Sequence, residues 1–307
     1  DLVESVHHGL AVLTAPDGGV ERAVGPVNVP MFPRSANKPM QAVGMLRAGA
    51  ALSGRHLALA CASHSGEAFH RDAVLEMLAS AGLDASFLQN TPTLPGDEQV
   101  RADWLAAGHG PDALVQNCSG KHAGMLAACV AAGWSTQTYL DAAHPLQVTI
   151  RQAVEDLSGD AVEHVAVDGC GAPVMSLTLA GLARAFGRIA AAPEGPERAV
   201  ADAMRENPQY VGGTHREVTA LMRALPGAVA KDGAEAVLAL GLPDGRGLAV
   251  KVADGAERAL WPVAVELLRA AGVENEALGR IGAVQVMGHG RAVGSVVATG
   301  IVGEEAR

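Results

Sequence analysis

Residues 228–252 read Ala228-Val229-Ala230-Lys231-Asp232-Gly233-Ala234-Glu235-Ala236-Val237-Leu238-Ala239-Leu240-Gly241-Leu242-Pro243-Asp244-Gly245-Arg246-Gly247-Leu248-Ala249-Val250-Lys251-Val252. Short apolar runs cut by Gly, Pro and Asp are the pattern of strands rather than helices. The spacing predicts strands over Ala228–Lys231, Ala236–Leu242 and Leu248–Val252, with Pro243-Asp244-Gly245 as a hairpin turn. Val284–Val302 is strand-rich as well, after a helix over Trp261–Ala270.

The other end of the chain has the same character. Asp17-Gly18-Gly19 lies between two valine-bearing stretches and predicts a β-hairpin. Between the two ends the period changes to that of helices. A helix is expected from Ser35 to Ala48, with Met40, Val43 and Leu46 on one face, Pro39 in its first turn and Gly49 as a stop. Further helices are expected around Phe69–Leu78, from Ser119 to Gly133, over Leu146–Leu157, and at about Leu177–Ile189, Glu197–Glu206 and Thr214–Ala224. Leu57–Cys61 reads as a short buried strand, and Val165-Ala166-Val167 as another before the loop Asp168–Pro173. Strands at both ends with helices between them imply an α+β fold, its mainly antiparallel sheet contributed by the two termini.

Composition bounds the function classes. The chain has 307 residues, of which 49% are hydrophobic and only 18% charged, enough apolar material for a core without disulfide or metal staples. Aromatic residues are 3%, so Ala, Val and Leu must fill that core. A formal net charge of −10 argues against nucleic acid, which is held by clustered Lys and Arg. There is no basic amphipathic face for anionic lipid and no apolar run of membrane-spanning length. Four cysteines do not make a secreted disulfide framework, and a cytoplasmic protein is expected.

Several clusters carry reactive groups. Ser35 and Lys38 lie three apart, so on a helix the amine shares a face with the hydroxyl. A serine attacks only when a base takes its proton, and a lysine is that base only when burial or a neighbouring cation holds it neutral. The bland alternative is a capping serine and a solvated lysine. Ser63-His64-Ser65-Gly66-Glu67 stands at a junction where side chains project into a cleft; a Ser–His–acid triad through His64 ranks low there. In Asn117-Cys118-Ser119-Gly120-Lys121-His122-Ala123-Gly124 and Asp168-Gly169-Cys170-Gly171, Cys118 and Cys170 can form half of a zinc site, with His122 or water completing it. Two small core residues, or a disulfide, are the alternatives. Cys61 and Cys129 are assigned to the core, and His7 and His8 to the surface. Gly120-Lys121-His122 lacks the earlier glycine and following Ser/Thr of a phosphate loop. Lys231-Asp232-Gly233, on a strand before a hairpin, is placed like the Lys-Thr-Gly strand of penicillin-recognising enzymes.

Together these segments resemble the asparaginase II family, the rhizobial-type (class 3) L-asparaginases. The resemblance rests on Arg34–Gln41, Ala60–Glu67, Asn117–Gly124, Asp168–Pro173, Asn207-Pro208 through Gly212-Gly213-Thr214, and Lys231–Ala234, in the family's order over nearly the whole chain. It implies a single catalytic domain over residues 1–307, with a fold related to serine β-lactamases and glutaminases, assembled as a homodimer. It also implies two Ser–Lys pairs, Ser35 with Lys38 and Ser63 with Lys231, and zinc held by Cys118, Lys121 and Cys170. Arg34, His122 and Asp168 match residues near the substrate. The expected reaction is hydrolysis of L-asparagine to L-aspartate and ammonia through an acyl-enzyme, with Ser35 favoured over Ser63 as nucleophile because helix geometry alone fixes its lysine. The zinc is expected to orient substrate. Rival readings are a glutaminase, since one methylene is worth only about 1–3 kcal/mol in a pocket, another serine amidase, a β-lactamase or esterase, and a non-catalytic zinc- or amino-acid-binding protein.

Overall fold

The computed structural model describes residues 2–301. In chain order the strands are β1 (Gly9–Thr14), β2 (Val20–Val24), β3 (Pro30–Met31), β4 (Val165–Val167), β5 (Pro173–Met175), β6 (Leu177–Thr178), β7 (Val229–Gly233), β8 (Val237–Gly241), β9 (Gly247–Val252), β10 (Val284–Gly288) and β11 (Arg291–Val296). The main sheet has the order β2-β1-β9-β8-β7, and every neighbouring pair in it is antiparallel. Its seam joins the two ends of the chain, with Leu10 opposite Lys251 and Val12 opposite Ala249. The α+β expectation holds, but not all of the C-terminal strands take part. Among the described residues β10 and β11 pair only with each other, as a separate antiparallel hairpin. Their side chains stay largely outside the core, so nothing drives them into the main sheet. Val302, the last residue of the expected strand-rich stretch, lies outside the described residues.

The helices are α1 (Lys38–Arg47), α2 (Gly54–Ala60), α3 (Ala68–Ser80), α4 (Glu98–Ala106), α5 (Ser119–Ala132), α6 (Pro145–Ser158), α7 (Leu179–Ala191), α8 (Gly195–Glu206), α9 (Pro208–Val211), α10 (Glu217–Ala224), α11 (Leu260–Ala270) and α12 (Glu276–Gly282). Two of them cover the sheet. α7 packs against β1, β8 and β9, and α11 lies over Leu238, Leu240 and Val250. β8 is therefore buried along its whole length, which is why its sequence is apolar without alternation. α1, α2, α3, α5, α6 and α8 form the helical layer beyond. None of the described helices is long and apolar enough to cross a membrane.

One element differs in kind from expectation. Leu57–Cys61 is not a strand; α2 runs from Gly54 to Ala60 and Cys61 follows as its C-terminal cap. A short, uniformly buried Leu-Ala-Leu-Ala run has no polar residues to reveal its period. Ala and Leu are among the strongest helix formers, and packing against α5 and α8 decided the outcome. α7 and α10 begin two and three residues later than the periodicity suggested, Thr178 capping α7 by accepting from Gly181 N–H. α4, α9 and α12 were not anticipated. α4 buries none of its residues, so it left no apolar stripe to read.

Candidate active site

Four chain segments, with the loop after β4 against them, meet at the edge where the sheet abuts the helical layer. The first is the tight turn Arg34–Asn37, a 3₁₀ turn that runs into α1. It lies against β7 because β7 ends in Gly233: a Cβ there would sit 2.6 Å from the Pro33 carbonyl oxygen and 3.3 Å from the Ser35 nitrogen. The turn opens with Arg34 at φ 50°, a left-handed conformation that a non-glycine residue holds only under constraint. That constraint is visible: Arg34 Nε donates to Asp168 Oδ1 at 2.7 Å, fastening the turn to the loop after β4.

The second segment is the loop after α2. Ser63 N–H donates to the Val211 carbonyl at 3.0 Å, His64 N–H to the Asn117 carbonyl at 3.1 Å, and Ser65 Oγ to the Gly212 carbonyl at 3.0 Å. The third is the start of α5. Gly120 lets it approach α2 so closely that a Cβ would come within 2.5 Å of the Leu59 carbonyl oxygen. The fourth is β7, carrying Lys231.

Three lysines, Lys38, Lys121 and Lys231, are buried here, and none is 2% exposed. That excludes the solvated-lysine reading of Lys38. Its Nζ donates to the Ala62 carbonyl (2.5 Å), to Ser63 Oγ (3.0 Å) and to Cys118 Sγ (3.1 Å), so all three ammonium protons are used. Neither expected pairing is the one formed. Lys38 holds Ser63 rather than Ser35, and Lys231 holds not Ser63 but Asp232, donating to its Oδ1 at 2.5 Å and its carbonyl at 2.6 Å. Ser35 is half-buried, and among the described residues its hydroxyl has no hydrogen-bond partner. The three-residue spacing was sound, but Ser35 sits in the 3₁₀ turn and the long lysine side chain reaches across to the α2 loop instead.

His64 makes no catalytic pair with either neighbouring serine. Its Nδ1 accepts from Gly66 N–H, so Nε2 carries the proton and donates to Ser119 Oγ at 2.8 Å, which in turn donates to the Leu114 carbonyl. Burial, with His70 and Lys38 nearby, holds this imidazole neutral far below its usual range. Ser119 is therefore a structural hydroxyl whose proton is already committed.

Burial also pulls the Lys231 amine from its ordinary 10.5 to about 8, against the pull of Asp232 and with help from Lys38 and Arg216. Asp232 is held well below the usual carboxylate range because Lys231 and Arg216 outweigh the cost of its own burial. Arg216 Nη2 donates to Asp232 Oδ2 at 2.6 Å. Cys61, behind the two lysines Lys38 and Lys231, has its thiol pushed up to about 12 by burial and stays a neutral core group. Asp232 and Arg216 were not picked out from sequence. Successive strand side chains point to opposite faces, so no periodic signal marks Asp232 as the partner of its own neighbour.

Cys118, Cys170 and Ala172 form a small buried cluster walled by Leu140, separate from the main core. All four cysteines are free thiols. Lys121 Nζ donates to Cys170 Sγ at 3.1 Å. Cys170, and after it the ammonium groups of Lys38 and Lys121, hold the Cys118 thiol below its ordinary range despite burial. The amine of Lys121 is raised although burial opposes it, because Cys170 and Cys118 favour its charge. Asp168 is depressed by Arg34 and Lys121 against its burial. One turn along α5, His122 Nδ1 meets the Tyr139 hydroxyl at 2.8 Å, and its buried Nε2 has no partner among the described residues. Among the described residues no three His, Cys, Asp or Glu side chains gather as a metal site. Two sulfurs and one amine fit zinc in softness, with a fourth position left for another ligand, on condition that Lys121 gives up its proton.

Of the residues expected from sequence, Ser63, Lys38 and Cys118 are in direct contact, Lys121 meets Cys170, Arg34 meets Asp168, Lys231 and Ser35 stand on the two segments joined at Gly233, and His122 hydrogen-bonds Tyr139. No curated protein matches the chain. Solved structures with a similar course include a β-lactamase from Mycobacterium bovis, at 15% identity over 87% of this chain and 95% of that one, TM-score 0.47. Mglu in its native form at 4.3 M NaCl shares 14% identity over 92% of this chain, which spans 66% of Mglu, TM-score 0.46. EstCE1, a hydrolase with promiscuous acyltransferase activity, shares 13% over 81% of this chain and 90% of that one, TM-score 0.42. The L-asparaginase II family model matches residues 1–298, nearly the whole length, and the chain belongs to that family of amidohydrolases.

Proposed function

We propose that the protein hydrolyses the side-chain amide of L-asparagine through a serine–lysine acyl-transfer mechanism. The observation that carries this reading is the buried Lys38 Nζ–Ser63 Oγ hydrogen bond of 3.0 Å. Ser63 is the nucleophile proposed, since it is the hydroxyl that a lysine holds. Once neutral, the Lys38 amine takes the Ser63 proton as Oγ attacks the amide carbon. The same amine returns that proton to the leaving nitrogen as the C–N bond breaks, releasing ammonia. Water then hydrolyses the aspartyl ester, with the proton again passing through Lys38. The Ser63 N–H is already given to Val211, so the oxyanion must be held by other donors.

Arg34 and Asp168 offer the α-carboxylate and α-ammonium of an amino acid a partner each, at the cost of their mutual ion pair. Lys231 supplies a second titratable amine. Cys118, Lys121 and Cys170 would hold a zinc ion, whose charge would fix a substrate group near Ser63. A homodimer belongs to the same reading, and light scattering measures it.

The test is ammonia release from asparagine and from glutamine by the wild type, Ser63→Ala and Ser35→Ala, with zinc counted in each preparation. Ser63→Ala should lose at least about a thousandfold in kcat/KM, as removal of a nucleophile does. Ser35→Ala should lose less. An inactive Ser35→Ala beside an active Ser63→Ala reverses the roles, and full activity in both refutes the serine mechanism. Glutamine turned over faster than asparagine would replace the substrate. Zinc absent from the wild type, or kept undiminished by Cys170→Ser, would sink the metal assignment.

A further inference from the structure

Asp232 serves two cations at once, one per carboxylate oxygen. Lys231 Nζ donates to Oδ1 at 2.5 Å, and Arg216 Nη2 to Oδ2 at 2.6 Å. The two cations differ in standing: Lys231 is fully buried, while the Arg216 side chain is 36% exposed. Arg216 ends the loop Gly212–Arg216 that leads into α10. The other end of that loop is fixed to the segment bearing Ser63. Ser65 Oγ donates to the Gly212 carbonyl, and Glu67 accepts from Thr214 N–H at 2.9 Å and from Thr214 Oγ1 at 2.6 Å. The loop that carries Arg216 is thereby tied at one end to the segment bearing Ser63 and at the other, through the guanidinium, to Asp232.

We propose that Arg216 is a positioning residue for Lys231: by occupying Asp232 Oδ2 it limits the carboxylate's hold on the buried ammonium and sets the pH at which Lys231 gives up its proton. This rests on the reading that Lys231 takes part in the reaction. The charged groups facing Lys231 are Asp232, which favours its charge, and Lys38 and Arg216, which oppose it; Cys61 beside it is a neutral thiol. Arg216 itself faces Asp232, Glu217 and Glu257. Removing Arg216 acts twice in one direction. It takes away a neighbouring cation, and it leaves both oxygens of Asp232 to Lys231. Removing the Asp232 charge acts the opposite way. A residue that merely braced the fold would lower stability without moving the titration of Lys231.

The experiment uses the full chain as wild type, Arg216→Gln, Arg216→Lys and Asp232→Asn. The Lys231 midpoint is read from the ¹³C ε-methylene signal of labelled lysine, assigned by its absence in Lys231→Met, and beside it the acid limb of kcat/KM for asparagine. Arg216→Gln should move both upward by about one unit, a roughly tenfold loss of activity below the limb. Arg216→Lys should stay near wild type, and Asp232→Asn should move the midpoint down. An unmoved or lowered midpoint in folded Arg216→Gln overturns the inference. Should that variant not fold, an Asp232→Asn midpoint that fails to fall overturns it instead. A midpoint that moves while the acid limb stays put supports the control of Lys231 by Arg216 and refutes the catalytic use of Lys231.

Discussion

Lys231 shows what a single buried charge costs. Its amine is pulled from 10.5 to about 8 because burial outweighs Asp232. With the folded-state value below the unfolded one, the unfolded chain binds more protons between those limits, so stability rises with pH across that window. Below about pH 8 the penalty is fully present, on the order of 3 kcal/mol, and it is relieved as the pH climbs towards 10.5. Lys231→Met should therefore melt higher than wild type at pH 7, Arg216 still pairing Asp232, and the gain should vanish above about pH 10.5. Calorimetry at the two pH values measures it; a lower melting temperature at pH 7 would show that the ion pair outweighs desolvation. On the proposed mechanism the same variant should also release less ammonia from asparagine, the trade expected where a buried charge is kept for function. In the sequence Lys231 was legible as a candidate, because strand position and the Asp-Gly that follows singled it out. Its partner was not, since contact between adjacent strand residues depends on how the buried side chain bends.

At the level of elements, the site depends on how closely β7 approaches the Arg34–Asn37 turn. Gly233→Ala would push a methyl into the Pro33 carbonyl oxygen and the Ala36 and Ser35 nitrogens, all backbone atoms that cannot swing aside. The expected cost is about 1–3 kcal/mol with a disproportionate loss of activity, because the displaced pieces carry Ser35 and Lys231. Gly279→Ala in α12 is the contrast. Nothing lies within 4 Å of its Cβ position, so the methyl should stabilise by about 1 kcal/mol through helix propensity alone. Denaturant melts and ammonia release on both variants check this; equal behaviour would refute the close-approach account. The glycine in Lys231-Asp232-Gly233 was visible in sequence, but its reason was not. Likewise the Leu57–Cys61 run, with no polar residue to mark its period, could be read as strand or helix until α5 and α8 packed on it.

On the scale of the whole molecule, the N-terminal hairpin and strands β7, β8 and β9 are one sheet, sewn along β1 and β9. No site residue lies before Arg34, yet β1 buries Ala11, Val12 and Leu13 against the core. A chain beginning at Gly25 should therefore show no cooperative melt and release no ammonia; retained activity would mean that β9, β8 and β7 hold Lys231 unaided. The α+β class and most of the helices were legible in the sequence, because hydrophobic periodicity is a local property of the chain, and motif order gave the family. The tertiary structure alone decided the partners. Lys38 turned from Ser35 to Ser63, Lys231 turned to Asp232, and β10 and β11 stayed out of the main sheet. Each of these depends on where a long side chain or a strand edge finds its best neighbour across segments distant in sequence, and spacing along one segment cannot encode that.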